Sequence, residues 1–486
     1  MNESITLIGL LLTPLLTAFA CFIFPQRTRL FTLICLIITP VFLINLIKIL
    51  IEIGPVRHSV GGWGTPLGID LSVDGLSAIM LLVTLIISGA VLIYAKNYYE
   101  HEKNVSYFWP LALILWSALN ALFMSNDIFN IYVSLELIGI IAVALAALNG
   151  TLKALKAALR YLFVGLIASS CYLLGVALLY KEYGALDITL LSNQLISNPI
   201  TYVAFALMTL GLLTKSALFP MHFWLPPAHS NASAPVSALL SAIVVKASFY
   251  ILLRLWFQLF PEIIIPSIAN LLGILGSIAV LWGSIQALRQ ERIKLMIAYS
   301  TVAQLGYLFL VFPLAVAGQS TAAIGGALYL IMAHACAKAA MFLGAGAVLH
   351  SAGHDRINEL QGLAKHMPVT VFTFTLAGIS LMGLPPSGGF VAKWSLLLAA
   401  VESGQWGWAI ILLLGSLLAA AYIFRLISPA LLQRGVGQDI EDEKQWQLMI
   451  WPAFILSLLS VILGFASNWL FNLFAIGFDS IMVIKL

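Results

Sequence analysis

Fourteen stretches of this chain are apolar over roughly the length of a membrane-crossing helix, and that repetition constrains the fold more than any motif. A bilayer's hydrocarbon core is about 30 Å thick, so a helix rising about 1.5 Å per residue needs roughly 20 apolar residues to cross it. On that ruler the segments are 4–24, 29–51, 73–95, 108–124, 127–148, 156–180, 201–221, 234–258, 267–287, 294–312, 321–348, 369–401, 406–432 and 448–475. Only 9% of the 486 residues are charged, whereas soluble domains carry about 25%. So few charges cannot cover a water-soluble surface of this size. The sequence therefore reads as an all-α polytopic membrane protein, which excludes soluble classes, nucleic-acid binders among them.

The first apolar run has no basic residue before it, and Arg27 and Arg29 follow it. It reads as a first spanning helix and not as a cleaved leader. Cys21, Cys35, Cys171 and Cys336 are scattered through apolar runs, without the spacing of a disulfide framework or metal site. The net charge of +4 is less informative than its distribution. Loops after odd-numbered segments hold fifteen lysines and arginines: Arg27, Arg29, Lys96, Lys103, Lys153, Lys156, Arg160, Arg289, Arg292, Lys294, Arg356, Lys365, Arg425, Arg434 and Lys444. Loops after even-numbered segments, with the C-terminus, hold five: Lys48, Arg57, Lys181, Arg254 and Lys485. The positive-inside rule then places both termini outside the cytoplasm. The acidic stretch "GQDIEDEK" (437–444) reads as a solvated loop.

Four of the 24 basic residues are left over: Lys215, Lys246, Lys338 and Lys393 all fall within apolar segments, as does Glu136 in "NIYVSLELIGIIAVALAAL". An ionised side chain at mid-bilayer costs at least about 2.5–3.5 kcal/mol on insertion scales, so these five must face protein or water. Structural ion pairs and snorkelling would explain one lysine near a helix end. Lysines near the middles of four helices point to an ion pathway. Burial disfavours the charged form of an amine, and a nearby carboxylate restores it. A lysine that approaches and leaves a glutamate can therefore alternately hold and release a proton. Glu136 and Lys215 are the candidates for such a switch, with Lys246 carrying the proton along the membrane midplane and Lys338 and Lys393 continuing the relay.

Proline interrupts two segments close to these lysines. Pro220, Pro226 and Pro227 break the seventh, and Pro385 and Pro386 in "GLPPSGGF" (383–390) break the twelfth. Proline removes a helical hydrogen bond and clashes with the preceding turn. In lipid, the freed carbonyls must be satisfied by protein or water. Broken helices in two halves of a chain are a pointer to a transport site. His334, four residues before Lys338, shares its helix face and suits a relay, with a hydrogen-bonded core histidine as the alternative. His229, after the double proline, suits an entrance path. His222, His350, His354 and His366 fall at helix ends, where interfacial placement explains them. Tyr299, Ser300, Thr301 and Gln304 of segment ten either hold water beside the lysines or bond across helices, and "GAGAV" (344–348) suits close helix packing. No Walker loop, dinucleotide fingerprint or cysteine cluster occurs, so no cofactor is expected, and no metal ligand set is assigned.

Together, "KSALFPMHFWLPPAHSNASAPVSALLSAIVVKASFYILLR", "RIKLMIAYSTVAQLGYL", "AHACAKAAMFLGAGAVLH" and "GLPPSGGFVAKW" resemble the antiporter-like subunits shared by respiratory complex I, membrane-bound hydrogenases and Mrp cation/proton antiporters. The early stretch "GGWGTPLGIDLSVDGLSAIMLL" (61–82) most resembles the D-type subunit of Mrp Na+/H+ antiporters. The resemblance implies two inverted five-helix repeats, helices 4–8 and 9–13, with helices 7 and 12 broken. It divides the chain into 1–104, 105–258, 259–432 and 433–486. The family's key glutamate and lysines match Glu136, Lys215, Lys246 and Lys393, with Lys338 at the helix-eleven position. Two departures stand out. Asn231 and Ser233 occupy a loop that usually carries an acidic residue and a proline, and Ser387 and Gly388 stand where a leucine and a serine are more usual.

The expected protein is a secondary-transporter subunit, not itself an enzyme, in a bacterial inner membrane. It would translocate protons within an Mrp-type complex that exchanges Na+ or K+ for protons, beside other membrane subunits. The alternative is a pump module of a complex I-type dehydrogenase or hydrogenase, driven by redox chemistry elsewhere. A scaffold with vestigial charges would need all four lysines to be replaceable.

Overall fold

In the computed structural model, residues 3–100, 107–432 and 447–477 are described. Helices α1 (Glu3–Ile23), α2 (Thr28–Ile53) and α3 (Gly75–Tyr98) form the N-terminal group. Then come α4 (Phe108–Met124), α5 (Ile128–Ala147), α6 (Leu152–Tyr183), the short α7 (Ile188–Gln194), α8 (Pro199–Lys215) and α9 (Leu225–Asn231). A continuous rod follows, made of α10 (Ala234–Leu239), a π-helical turn, α11 (Val245–Arg254) and a second π-helical turn ending at Leu259. The second half comprises α12 (Pro266–Arg289), α13 (Ile293–Leu308), α14 (Val311–Leu314), α15 (Ser320–Ala352), α16 (Leu363–His366), α17 (Pro368–Met382), α18 (Gly388–Glu402) and α19 (Trp406–Leu431). Helices α20 (Gln447–Ile462) and α21 (Ser467–Ala475) close the described chain.

Every predicted apolar segment holds a helix. Among the described residues ten helical rods are long and apolar enough to cross a membrane, or eleven if a bent pair counts as one. Three shorter apolar helices, Phe108–Met124, Pro199–Lys215 and Pro368–Met382, add to them. The last two are the leading halves of the helices broken by proline. The fourteenth segment departs from expectation: it is not one straight span but bends by 79° between Phe465 and Ser467. Two elements had no apolar-run signal. The hairpin of β1 (Val56–Ser59) and β2 (Asp70–Val73) pairs Val56 with Val73 and Ser59 with Asp70. Helix α7 is capped by Asp187, which accepts from the Leu190 N–H at 3.0 Å. The stretch 437–444 lies outside the described residues, as do Lys103, Arg434, Lys444 and Lys485.

A backbone clasp occurs twice. Ile128 N–H donates to Leu186 O (2.9 Å) and Ile188 N–H to Asn126 O (2.8 Å), fastening the start of α5 to the end of α6. Ile293 N–H donates to Asp355 O and Ile357 N–H to Glu291 O, both at 2.8 Å, fastening the start of α13 to the end of α15 in the same way. Five crossings separate the two clasps, so they lie on opposite membrane faces. This is the signature of inverted repeats.

Among the described residues, two basic residues of the loop tally are buried and not solvated. Arg254 is no outer-loop charge: it is 8% exposed inside the eighth spanning rod, paired with Asp74. Lys294 is no solvated loop residue either, at 4% exposed. Removing both leaves the loop bias at fourteen to four. Close packing at "GAGAV" holds too, since a Cβ on Gly346 would overlap Ala234 and the Tyr94 hydroxyl.

Candidate functional site

Glu136 lies on α5 and faces Lys215, the last residue of α8. Lys215 Nζ is 3.5 Å from Glu136 Oε1 and 3.4 Å from the Leu135 carbonyl. The chain then unwinds through 216–220 before the helical turns resume. The Thr214 carbonyl at this break accepts from the Trp224 indole N–H (3.1 Å), and Trp224 stacks on Tyr161 with centroids 4.3 Å apart. The amine of Lys215 is thus not needed to satisfy the break and turns toward α5. The pair borders a crevice of about 550 Å³, open mouth included, lined among others by Gly139, Gly165, Thr214 and Trp224. Its inner wall includes Val244 and Ser248 of the rod that carries Lys246.

The other three lysines are joined by helix α13. Lys246 is fully buried and donates to the Ser241 carbonyl (2.8 Å) inside the first π-helical turn. The Ser241 hydroxyl bonds Thr301 Oγ1 at 2.9 Å. Ser300, the neighbour of Thr301, accepts from Lys338, whose amine also reaches the Ile297 carbonyl at 3.1 Å. One turn along, Gln304 donates to the Leu381 carbonyl (3.0 Å), which Lys393 shares at 2.9 Å. Lys393 also reaches the Met382 carbonyl (3.3 Å) and Ser416 Oγ (3.2 Å), and lies 4.5 Å above the Tyr307 ring. Here the lysine does satisfy its own helix break, unlike Lys215. Ser300, Thr301 and Gln304 of segment ten therefore bond across helices and line up beside three amines. Among the described residues no hydrogen bond joins the Glu136–Lys215 pair to this line.

His229 is 1% exposed, with its ring stacked on Phe342 at 5.5 Å. His334 is 2% exposed, one turn before Lys338. Neither ring nitrogen of either histidine has a partner among the described residues. Buried polar groups of this kind are paired or hold ordered water. His350 packs edge-on against Tyr98 and His354 lies 3.6 Å from Glu359, as helix-end placement implies. At the first sequence departure, Asn231 donates to the Pro227 carbonyl (2.8 Å), and the Ser233 hydroxyl bonds Tyr99 (2.5 Å). At the second, Ser387 caps α18 by accepting from the Phe390 N–H at 3.1 Å.

Gly389, in the first turn of α18, sits directly against the Ser380 carbonyl, and a Cβ there would overlap it. Gly389→Ala is expected to force α18 away from α17 and destabilise the protein by about 1–3 kcal/mol. A lowered melting temperature of the purified protein in detergent would register it. An unchanged melt would mean that the contact relaxes freely.

Many apolar rods, inverted halves and two broken helices beside buried lysines define an antiporter-like membrane subunit. The chain belongs to the family described as NADH:quinone oxidoreductase/Mrp antiporter, TM, whose family model matches residues 125–419. A second model, described as NADH-Ubiquinone oxidoreductase (complex I), chain 5 N-terminus, matches residues 63–109. The NADH-quinone oxidoreductase subunit N of Desulforudis audaxviator is 37% identical, over 80% of this chain and 78% of that protein. The D-type subunit of the Bacillus subtilis Na(+)/H(+) antiporter is 28% identical, over 85% and 83%. Among solved structures, a chain of the membrane-bound sulfane sulfur reductase, an archaeal respiratory membrane complex, superposes with a TM-score of 0.89. It is 28% identical and covers 99% of this chain and 98% of that one.

Proposed function

We propose that this chain is the proton-translocating subunit of a multi-subunit Mrp-type antiporter that exchanges Na+ or K+ for protons. It would reside in a bacterial inner membrane with both termini outside. The observation that carries the proposal is the Glu136–Lys215 pair, held 3.5 Å apart beside a helix break and a crevice. Glu136 stabilises the charged amine when the two are close, and separation releases its proton toward Lys246. The line through Ser241, Thr301, Ser300 and Gln304 supports passage on to Lys338 and Lys393, with 105–258 and 259–432 as the two bundles it crosses. Moving one charge against 100 mV costs about 2.3 kcal/mol, so an exchanger that admits more protons than it expels cations can draw on the membrane potential.

The test is exchange by the purified complex in sealed vesicles carrying an interior pH probe. Adding Na+ or K+ outside is expected to collapse an imposed pH gradient. If neither cation does so with the assembled complex, the antiport reading is wrong. The 37% identity to a quinone oxidoreductase subunit favours a second reading, a redox-driven pump module with the same relay. Under that reading the co-purifying subunits include iron–sulfur proteins, and proton movement follows an electron donor instead of a cation.

A further inference from the structure

We propose that Lys294 is a further proton-carrying residue, the inlet amine that admits protons to the relay from the face bearing the 291–357 clasp. This rests on the relay reading above and adds a residue to it. Under the proposed orientation that face is cytoplasmic.

Lys294 is the second residue of α13, immediately behind the clasp, where a basic side chain would ordinarily reach out to water. Instead it is 4% exposed and its amine turns inward to donate to the Ala232 carbonyl. Ala232 lies in the connection between α9 and α10, at the far end of the broken helix that begins with α8. An ammonium carries three N–H donors, and among the described residues this one makes a single hydrogen bond.

Groups with the same deficit flank it. On the clasp side Asp355 is 4% exposed, and its Oδ1 accepts from Arg292 Nε at 2.8 Å. Its Oδ2 is buried without a partner among the described residues. On the inner side His229, three residues before Ala232, has neither ring nitrogen paired. A carboxylate oxygen, a partly satisfied amine and an imidazole thus succeed one another from the clasp toward the interior. Polar groups this deep are satisfied by ordered water, which also passes protons between them. Because Arg292 already holds the Asp355 carboxylate, Lys294 is the group of this set placed to receive a proton at the clasp and hand it to His229. Burial near other positive charge disfavours two cations at once, so the proton moves on and does not accumulate.

The competing explanation is that Lys294 merely caps the Ala232 carbonyl, and the choice of variants separates the two. Lys294→Arg keeps both the donor and the charge, but a guanidinium does not give up its proton. Lys294→Gln keeps a donor without the charge. Proton flux by the assembled complex in vesicles is compared with wild type and with Lys215→Ala. The inlet role predicts that both Lys294 variants assemble and lose about a hundredfold of the flux. Wild-type flux by either variant overturns the inlet and leaves the relay standing, provided Lys215→Ala is inactive. If only one variant assembles, it decides. If neither does, the bond to Ala232 is structural and the inlet is rejected. Flux that survives Lys215→Ala sinks the relay reading itself, and the inlet with it.

Discussion

Lys215→Ala is expected to cut proton exchange by about a hundredfold or more, the usual cost of removing a positioned acid–base group, while the complex still assembles. The second half of that expectation follows from what Lys215 does not do. The fold does not depend on its amine, because the Thr214 carbonyl freed at the break is already taken by Trp224. Its contacts with Glu136 and Leu135 are long, at 3.5 and 3.4 Å. The pair is thus a functional contact and not a prop for the helix break. Glu136→Ala should therefore behave as Lys215→Ala does. Glu136→Gln, which keeps the shape but not the charge, should be equally inactive. Vesicle flux and size-exclusion of the solubilised complex measure the two halves separately. Full exchange by the alanine variants would reduce the pair to a bystander. Lys393 is the contrasting case, since it donates to the carbonyls of Leu381 and Met382 at its own break. Its replacement leaves Leu381 to Gln304 but strands the Met382 carbonyl, and should cost stability as well as flux.

How far the sequence can be read follows from what each signal reports. Apolar length registers whether a helix can cross a bilayer, so helices stand at all fourteen expected places, and proline marks both breaks correctly. The same signal is silent on elements that do not cross. The 56–73 hairpin and α7 arise from backbone pairing and from the Asp187 cap, neither of which depends on a run of apolar residues. It also cannot tell a helix-end charge that snorkels from one that turns inward, so Arg254 and Lys294 read as loop residues. For Arg254 a signal is present: it lies eight residues after Lys246 on the same apolar segment, and Asp74 opens another. Pairing the two requires knowing that α3 and α11 meet. Lys215 and Glu136 are legible because a charge within an apolar run stands out wherever its partner lies. The polar line on α13 is visible only as an ambiguity between holding water and bonding across helices. Which residue bonds which depends on helix rotation, and a single sequence does not report that.

Arg254→Met is expected to destabilise the protein by about 3–5 kcal/mol, the cost of stranding one partner of a buried ion pair. That is a large part of the roughly 5–15 kcal/mol that holds a domain together. The geometry is a two-pronged fork: Nη1 to Asp74 Oδ2 and Nη2 to Asp74 Oδ1, both at 2.6 Å. Nη2 also donates to Ser77 Oγ (2.7 Å), and Nε to the Tyr250 hydroxyl (2.9 Å), which in turn donates a hydrogen bond to the Phe123 carbonyl (2.9 Å). Three helices, α3, α4 and α11, are tied at this one point. Asp74 also caps α3 through the Ser77 N–H at 2.9 Å, so the stranded carboxylate cannot simply swing away. Asp74→Ala should cost a similar amount, whereas Asp74→Leu with Arg254→Met should recover much of it, since neither charge is then left buried alone. Thermal melts in detergent for the two single variants and the double variant test this. Additive losses in the double variant would show that the pair is not coupled.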